Sequence, residues 1–393
     1  MIKFIHTSDI HLDMPFQLES HLPEKVLTDV VEASFTSFKK LVDDAISEKV
    51  DFIIISGGLF HHEYPSIRAY QFIQKQFNRL NDAHIFVYYI CGNEDYLNFN
   101  TYIEIPNNVI VFGQDVSSYE LITNNGTRVY LHGFSYFNED SLENKIDRFP
   151  VVHVDQSIHI GLLHGTYAKS DIKKRITEFQ VEDLNSKMYH YWALGHSDNA
   201  QFISDIPHIH YSGTIQANSF DCLGDKGYLL VSGDHIDLNV SFVKTSTITF
   251  NQAEITLSEV GKHAIYQDIT DFKESVRNHG KQFYQLTIHN PHETLVDQAE
   301  LRKILTEVQQ FEANEVNFVF IDQIQLNEAH AVYTLDEEFR DEFLNDEMLY
   351  YQSMADIRAS KAKKYMDPLK LSDKSMLLKH GEAILKSVMR DDA

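Results

Sequence analysis

The chain is short of positive charge. Its 393 residues hold 34 Lys and Arg against 58 Asp and Glu, a formal net charge of −24. Proteins whose surface as a whole grips nucleic acid are basic. That class is excluded, and any DNA contact would need a local patch or a second subunit. There are two cysteines, Cys91 and Cys222. Two are too few for a disulfide framework or a thiolate metal cluster, and they fit a reducing compartment. No apolar run reaches the ~20 residues of a membrane span. The start, MIKFIHTSDI, lacks the basic-then-apolar order of a secretory signal. No membrane association and a cytoplasmic location are therefore expected. Internal repeats and low-complexity stretches are also missing.

Apolar content is ordinary at 43%, enough for a sizeable core. The length predicts two domains and a tail. Histidine is abundant at 21 residues, a modest pointer towards metal chemistry. In the first half, short apolar runs alternate with helical spacing, the pattern of a layered α/β domain. Strands are expected at 3–7, 51–56, 84–91, 109–112, 127–133, 158–163 and 191–194, and helices at 23–48 and 66–80. Residues 226–232 and 236–243 read as a hairpin around Gly233 and Asp234. A strand at 283–288, a helix at 298–309 and a strand at 316–326 suggest a small α+β unit. The stretch 335–351 is acidic and helical, and 358–386 is basic. The expected organisation is a domain over 1–245, a cap over 246–333 and a helical tail over 334–393.

Polar residues cluster just after the buried strands. Asp9 and His11 follow the first, in HTSDIHLD. Gly57 and Gly58 follow the second, in SGGLFHH. Asn93, Glu94 and Asp95 follow the third, in CGNEDY. His164 follows a fourth, in LLHGTY, and His196 and Asp198 a fifth, in ALGHSDN. Side chains at the carboxyl ends of strands converge on one edge of an α/β protein. Carboxylate, amide and imidazole ligands suit manganese, iron or zinc. Two such cations roughly 3.5–4 Å apart can clamp both oxygens of a phosphoryl transfer.

This series resembles the calcineurin-like metallophosphoesterases, whose pattern runs D-x-H, G-D, G-N-H, H and G-H-x-H. Within them it is similar to the SbcD-type DNA repair exonucleases, and to their YhaO-like branch, through FIHTSDIHLDMPF, LLHG, YWALGH and YSGTIQANSF. The resemblance covers residues 1–245 and extends loosely beyond. It implies a layered α/β metallophosphoesterase sandwich with a small α+β cap and a helical C-terminal tail. It implies that Asp9, His11 and Asp198 bind one metal and that Asn93, His164 and His196 bind the other.

Three positions depart from the pattern. Gly58 stands where the bridging aspartate belongs and offers no donor atom. Glu94 stands where the catalytic histidine belongs, an anion near a phosphate. Asp198 replaces the last histidine of G-H-x-H, a milder exchange for a hard cation. One divalent ion, manganese for preference, is expected rather than two, with His61 and His62 as spare imidazoles. The function implied is a DNA exonuclease or phosphodiesterase subunit with a degenerate metal site. The alternatives are an inactive scaffold of a DNA repair complex and a phosphoesterase for a small substrate. The resemblance also implies an SbcC-like SMC-type ATPase held by the C-terminal helices, DNA as a further partner, and a homodimer.

Overall fold

The computed structural model describes residues 1–61, 66–95, 104–137, 143–153, 156–173, 175–259, 261–291 and 298–328. The expected tail over 334–393 and His62 lie outside them. The elements in chain order begin with β1 (Ile2–Thr7), α1 (Glu24–Glu48), β2 (Phe52–Ser56), α2 (Ile67–Asp82), β3 (Phe86–Ile90) and β4 (Val109–Val111). There follow β5 (Ser117–Ile122), β6 (Arg128–Gly133), β7 (Ile158–His164), α3 (Val181–Asn185), β8 (Tyr191–Gly195), β9 (Gln201–Asp205) and β10 (His208–Tyr211). The last are β11 (Gly227–Gly233), β12 (Leu238–Lys244), β13 (Ile248–Thr256), α4 (Lys262–Val276), β14 (Lys281–Asn290), α5 (Gln298–Gln309) and β15 (Val319–Glu328).

Two six-stranded sheets form the sandwich, ordered β12-β11-β1-β2-β3-β4 and β5-β6-β7-β8-β10-β9. Continuous apolar runs make the central strands, because both faces are covered. Phe4, Phe52, Ile54, Tyr88 and Ile90 of the first sheet pack with Leu131, Ile160, Leu162, Tyr191 and Ala193 of the second. The other face of the first sheet packs Ile5, Ile53, Ile55 and Val87 with Phe35, Phe38, Leu41, Ile73 and Phe77 of the two long helices. Helix α1 stops where Lys49 turns left-handed and its N–H returns to Ala45 and Ile46. Helix α2 starts where the Ser66 hydroxyl accepts from the Ala69 N–H.

β1, β2 and β3 are mutually parallel, as are β7, β8 and β10. Their carboxyl ends therefore share one edge, and that edge carries the site. The expected strands and helices stand where the patterns put them, within a few residues, and the 226–243 hairpin is antiparallel β11–β12. Strands β5, β9, β10 and β13 and helices α3 and α4 have no counterpart among the expected elements. A third sheet has the order β13-β14-β15.

By internal packing the described residues divide into one unit of Met1–Glu254, Ile269–Thr287 and Glu307–Gln325 and another of Ile255–Asp268, Ile288–Thr306 and the described residues from Leu326. The first contains the sandwich and a cluster of Val26, Val30, Phe250, Phe283, Phe318 and Phe320. In the second, Leu257, Ile265, Ile288, Leu301 and Ile304 are buried. Among the described residues, no helix is long and apolar enough to cross a membrane.

Candidate metal centre

Of the ten residues singled out at the strand ends, eight line one cleft of about 300 Å³: Asp9, His11, Gly58, Asn93, Glu94, His164, His196 and Asp198; Gly57 and Asp95 do not. His61 lines it too. The backbone is strained at this edge: Asp9, His11 and His196 have φ of 49°, 43° and 100°. Such conformations in non-glycine residues persist where surrounding structure holds them, and they gather at functional sites.

The ligands fall into two groups. Asp9, His11 and Asp198 each offer a ligand atom, all within 4.8 Å of one another. Asp9 is buried, and its carboxylate accepts from the His196 N–H at 2.9 Å. Burial, with the Asp198 carboxylate beside it, pushes Asp9 up to about 7. A buried acid next to a second acid is a poor arrangement without a cation and a good one with it. The His11 Nδ1 is buried with no hydrogen-bond partner.

The second group, Asn93, His164 and His196, holds no carboxylate. His164 lies 2.8 Å from the Ser56 carbonyl through Nδ1 and 3.1 Å from the Asn93 Oδ1 through Nε2. A carbonyl only accepts, so Nδ1 donates to Ser56. Nε2 faces the Asn93 side-chain amide, whose buried Nδ2 has no hydrogen-bond partner. A metal-ligating histidine holds its ring in this way, donating its far N–H to a carbonyl. Glycines make the room. A Cβ on Gly57, Gly92 or Gly195 would come within 2.4, 2.8 or 2.7 Å of the His164 ring. The His196 ring stands 5.2 Å from it, centroid to centroid.

Glu94 is held between imidazoles, 3.5 Å from His61 Nε2 and 4.0 Å from His11 Nδ1. Asp95, adjacent in sequence, does different work. It is buried and accepts from Leu59 N at 2.7 Å, Gly92 N at 2.5 Å and the Tyr89 hydroxyl at 2.5 Å. It ties the loops after β2 and β3 together. The donor set in the cleft fits divalent metal.

Residues 2–205 match the family model for calcineurin-like phosphoesterases. The chain belongs to this family. A relative, the uncharacterized metallophosphoesterase YhaO of Bacillus subtilis (strain 168), is 34% identical over 340 residues, covering 84% of this chain and 83% of its own. Solved structures similar to this phosphoesterase include the protein TT1561 of Thermus thermophilus, at 14% identity, with 61% and 98% of the two chains covered and a TM-score of 0.34. Another is a dimetal phosphatase from Danio rerio, at 10% identity, with 62% and 96% covered and a TM-score of 0.38. Family membership makes the chain a hydrolase of the metallophosphoesterase type and implies a divalent metal.

Gly58 of this phosphoesterase has φ +70°, and a Cβ there would lie 2.7 Å from the Asp9 Cα. Gly58→Asp is therefore expected to destabilise the fold by about 1–3 kcal/mol, read as a lower urea midpoint. The pH dependence of metal binding follows from Asp9. Its folded-state value lies above the ordinary 3.8, so below about 7 the metal-free protein holds a proton there. The stability linked to that proton is full below 3.8 and lost as pH rises through about 7. A cation must displace the proton. Mn²⁺ affinity, measured by calorimetry, is expected to fall about tenfold per pH unit below 7 on this account, and to level off above it.

Proposed function

We propose that the chain is a divalent-metal-dependent phosphodiesterase acting on DNA ends, with a degenerate centre that uses one cation held by Asp9, His11 and Asp198. The closure of these three ligand atoms to within 4.8 Å supports the reading most directly. Charge favours one ion over two. The first group brings two carboxylates, whereas Asn93, His164 and His196 bring none. Gly58 adds no donor, and its tight contact with Asp9 leaves no space for one. When bound, the cation supplies Lewis-acid stabilisation of the phosphate and a more acidic attacking water.

The chain's own residues do the rest. His164, oriented by Ser56, presents its Nε2 to the cleft beside Asn93. The Glu94 carboxylate would repel a phosphate, but it is turned towards His61 and His11. His61, its Nε2 3.5 Å from Glu94, serves as proton donor to the leaving oxygen, the task the family gives to a histidine at position 94. His61→Ala is expected to lower kcat by about 10²-fold.

The test is Mn²⁺-dependent hydrolysis of single- and double-stranded DNA by the full chain. Hydrolysis lost on chelation and in His164→Ala supports the proposal. A native chain that hydrolyses neither form refutes it. Residues 334–393 are proposed to hold an SMC-type ATPase. A pull-down of that ATPase that is unchanged when they are removed would count against this.

A further inference from the structure

A second group of ligand-type side chains lies at the other end of the second sheet. β10 runs parallel to β8, with His208 beside Tyr191 and His210 beside Ala193. The metal centre follows the carboxyl end of β8, whereas His208 sits at its amino end. β9 and β10 are antiparallel, and Asp205 stands directly opposite His208. His208 and His210 are two residues apart on one strand, so they share a face. Asp205, His208 and His210 each offer a ligand atom, and the three atoms lie within 4.8 Å of one another.

We propose that Asp205, His208 and His210 form a second cation site, of zinc type, that clamps the β9–β10 hairpin.

The two imidazoles carry the argument. His208 Nδ1 is 3.2 Å from His210 Nε2. Two nitrogens bound tetrahedrally to zinc at about 2.0 Å stand about 3.3 Å apart. His210 is fully buried, and its other nitrogen, Nδ1, has no hydrogen-bond partner. A cation would sit between the His208 Nδ1 and the His210 Nε2, leaving the far His210 Nδ1 to carry that ring's proton. The His210 ring is fixed by Phe202 and Tyr191, at 4.7 and 5.6 Å between centroids.

His6 is near but already committed, to the Tyr191 hydroxyl at 2.9 Å and the Leu194 carbonyl at 3.1 Å, and is no ligand. Two nitrogens and one carboxylate suit zinc or cobalt better than magnesium or calcium. A fourth position remains for water or for Asp237, whose charge reaches His208. The site is structural in type. β10 leads directly into Thr214, which lines the catalytic cleft, so bracing the hairpin steadies one wall of that cleft.

The experiment uses the full chain in an Asp9→Asn background, which removes the other centre. Zn²⁺ is counted by elemental analysis after dialysis, and Co²⁺ is titrated with its visible spectrum recorded. The expected result is one Zn²⁺ per chain and a tetrahedral Co²⁺ spectrum. Adding His208→Gln, or separately Asp205→Asn, should remove both the bound ion and the spectrum. Asp205 is exposed and His208 half-exposed, so neither change should unfold the chain. Zinc should raise the melting midpoint of the Asp9→Asn protein and leave that of the double variants unchanged. An unaltered zinc count in both double variants, or no zinc in the Asp9→Asn protein, overturns the proposal.

Discussion

Asp9→Asn is expected to remove metal-dependent hydrolysis, lowering kcat/KM on the order of 10³-fold, while making the metal-free protein more stable at pH 8. The two effects have one cause. Asp9 is buried beside Asp198, so its charge is costly until a cation neutralises it. Asparagine keeps the shape and an oxygen to accept the His196 N–H, and it discards the charge. The metal-free melting midpoint should rise, and the Mn²⁺-induced increase in midpoint should vanish. A residue that merely supported the fold would behave the other way, with lower stability and partial activity. Melting curves with and without Mn²⁺ distinguish the two.

Asp95→Ala should cost the fold about 3 kcal/mol or more, read from urea unfolding. Two buried N–H groups, of Leu59 and Gly92, and the Tyr89 hydroxyl would lose their acceptor. Each unsatisfied buried donor costs about 1–3 kcal/mol. Burial raises the Asp95 carboxyl, and these donors pull it back down. Asp95→Asn keeps one acceptor oxygen and should cost about half as much. Activity should fall as well, because the Gly57–Leu59 and Gly92–Glu94 loops both hang from this carboxylate.

The five strand-end stations were legible because each lies next to a continuous apolar run, and such runs mark buried central strands. The long helices were legible from apolar spacing: in α1, Val30, Phe35, Phe38, Leu41, Val42 and Ala45 are buried, whereas Leu27 and Val31 of the same pattern are exposed. The strands that escaped notice have other signatures. β5 alternates half-buried and exposed positions, and β9 has no buried position, so both read as polar loop. β10 is four residues long and follows Pro207. Helix α4 carries Ile265, Ile269 and Thr270, β-branched residues that weaken the helical signal.

Within the site, residue types revealed the candidates but not their division of labour. Asn93, Glu94 and Asp95 look alike in the sequence, yet one faces His164, one faces His61 and His11, and one is buried beneath the loops. The tight approach of Gly57, Gly92 and Gly195 to His164 emerges only in three dimensions. His61 read as a loop residue. Its place beside Glu94 is what makes it a candidate for the missing histidine's role.

Crystals of the full chain soaked in Mn²⁺ and measured at the manganese edge test the central claim most directly. The account predicts a strong anomalous peak among Asp9, His11 and Asp198, and a weak peak or none between Asn93, His164 and His196. An empty first position, or two peaks of equal strength, would contradict it.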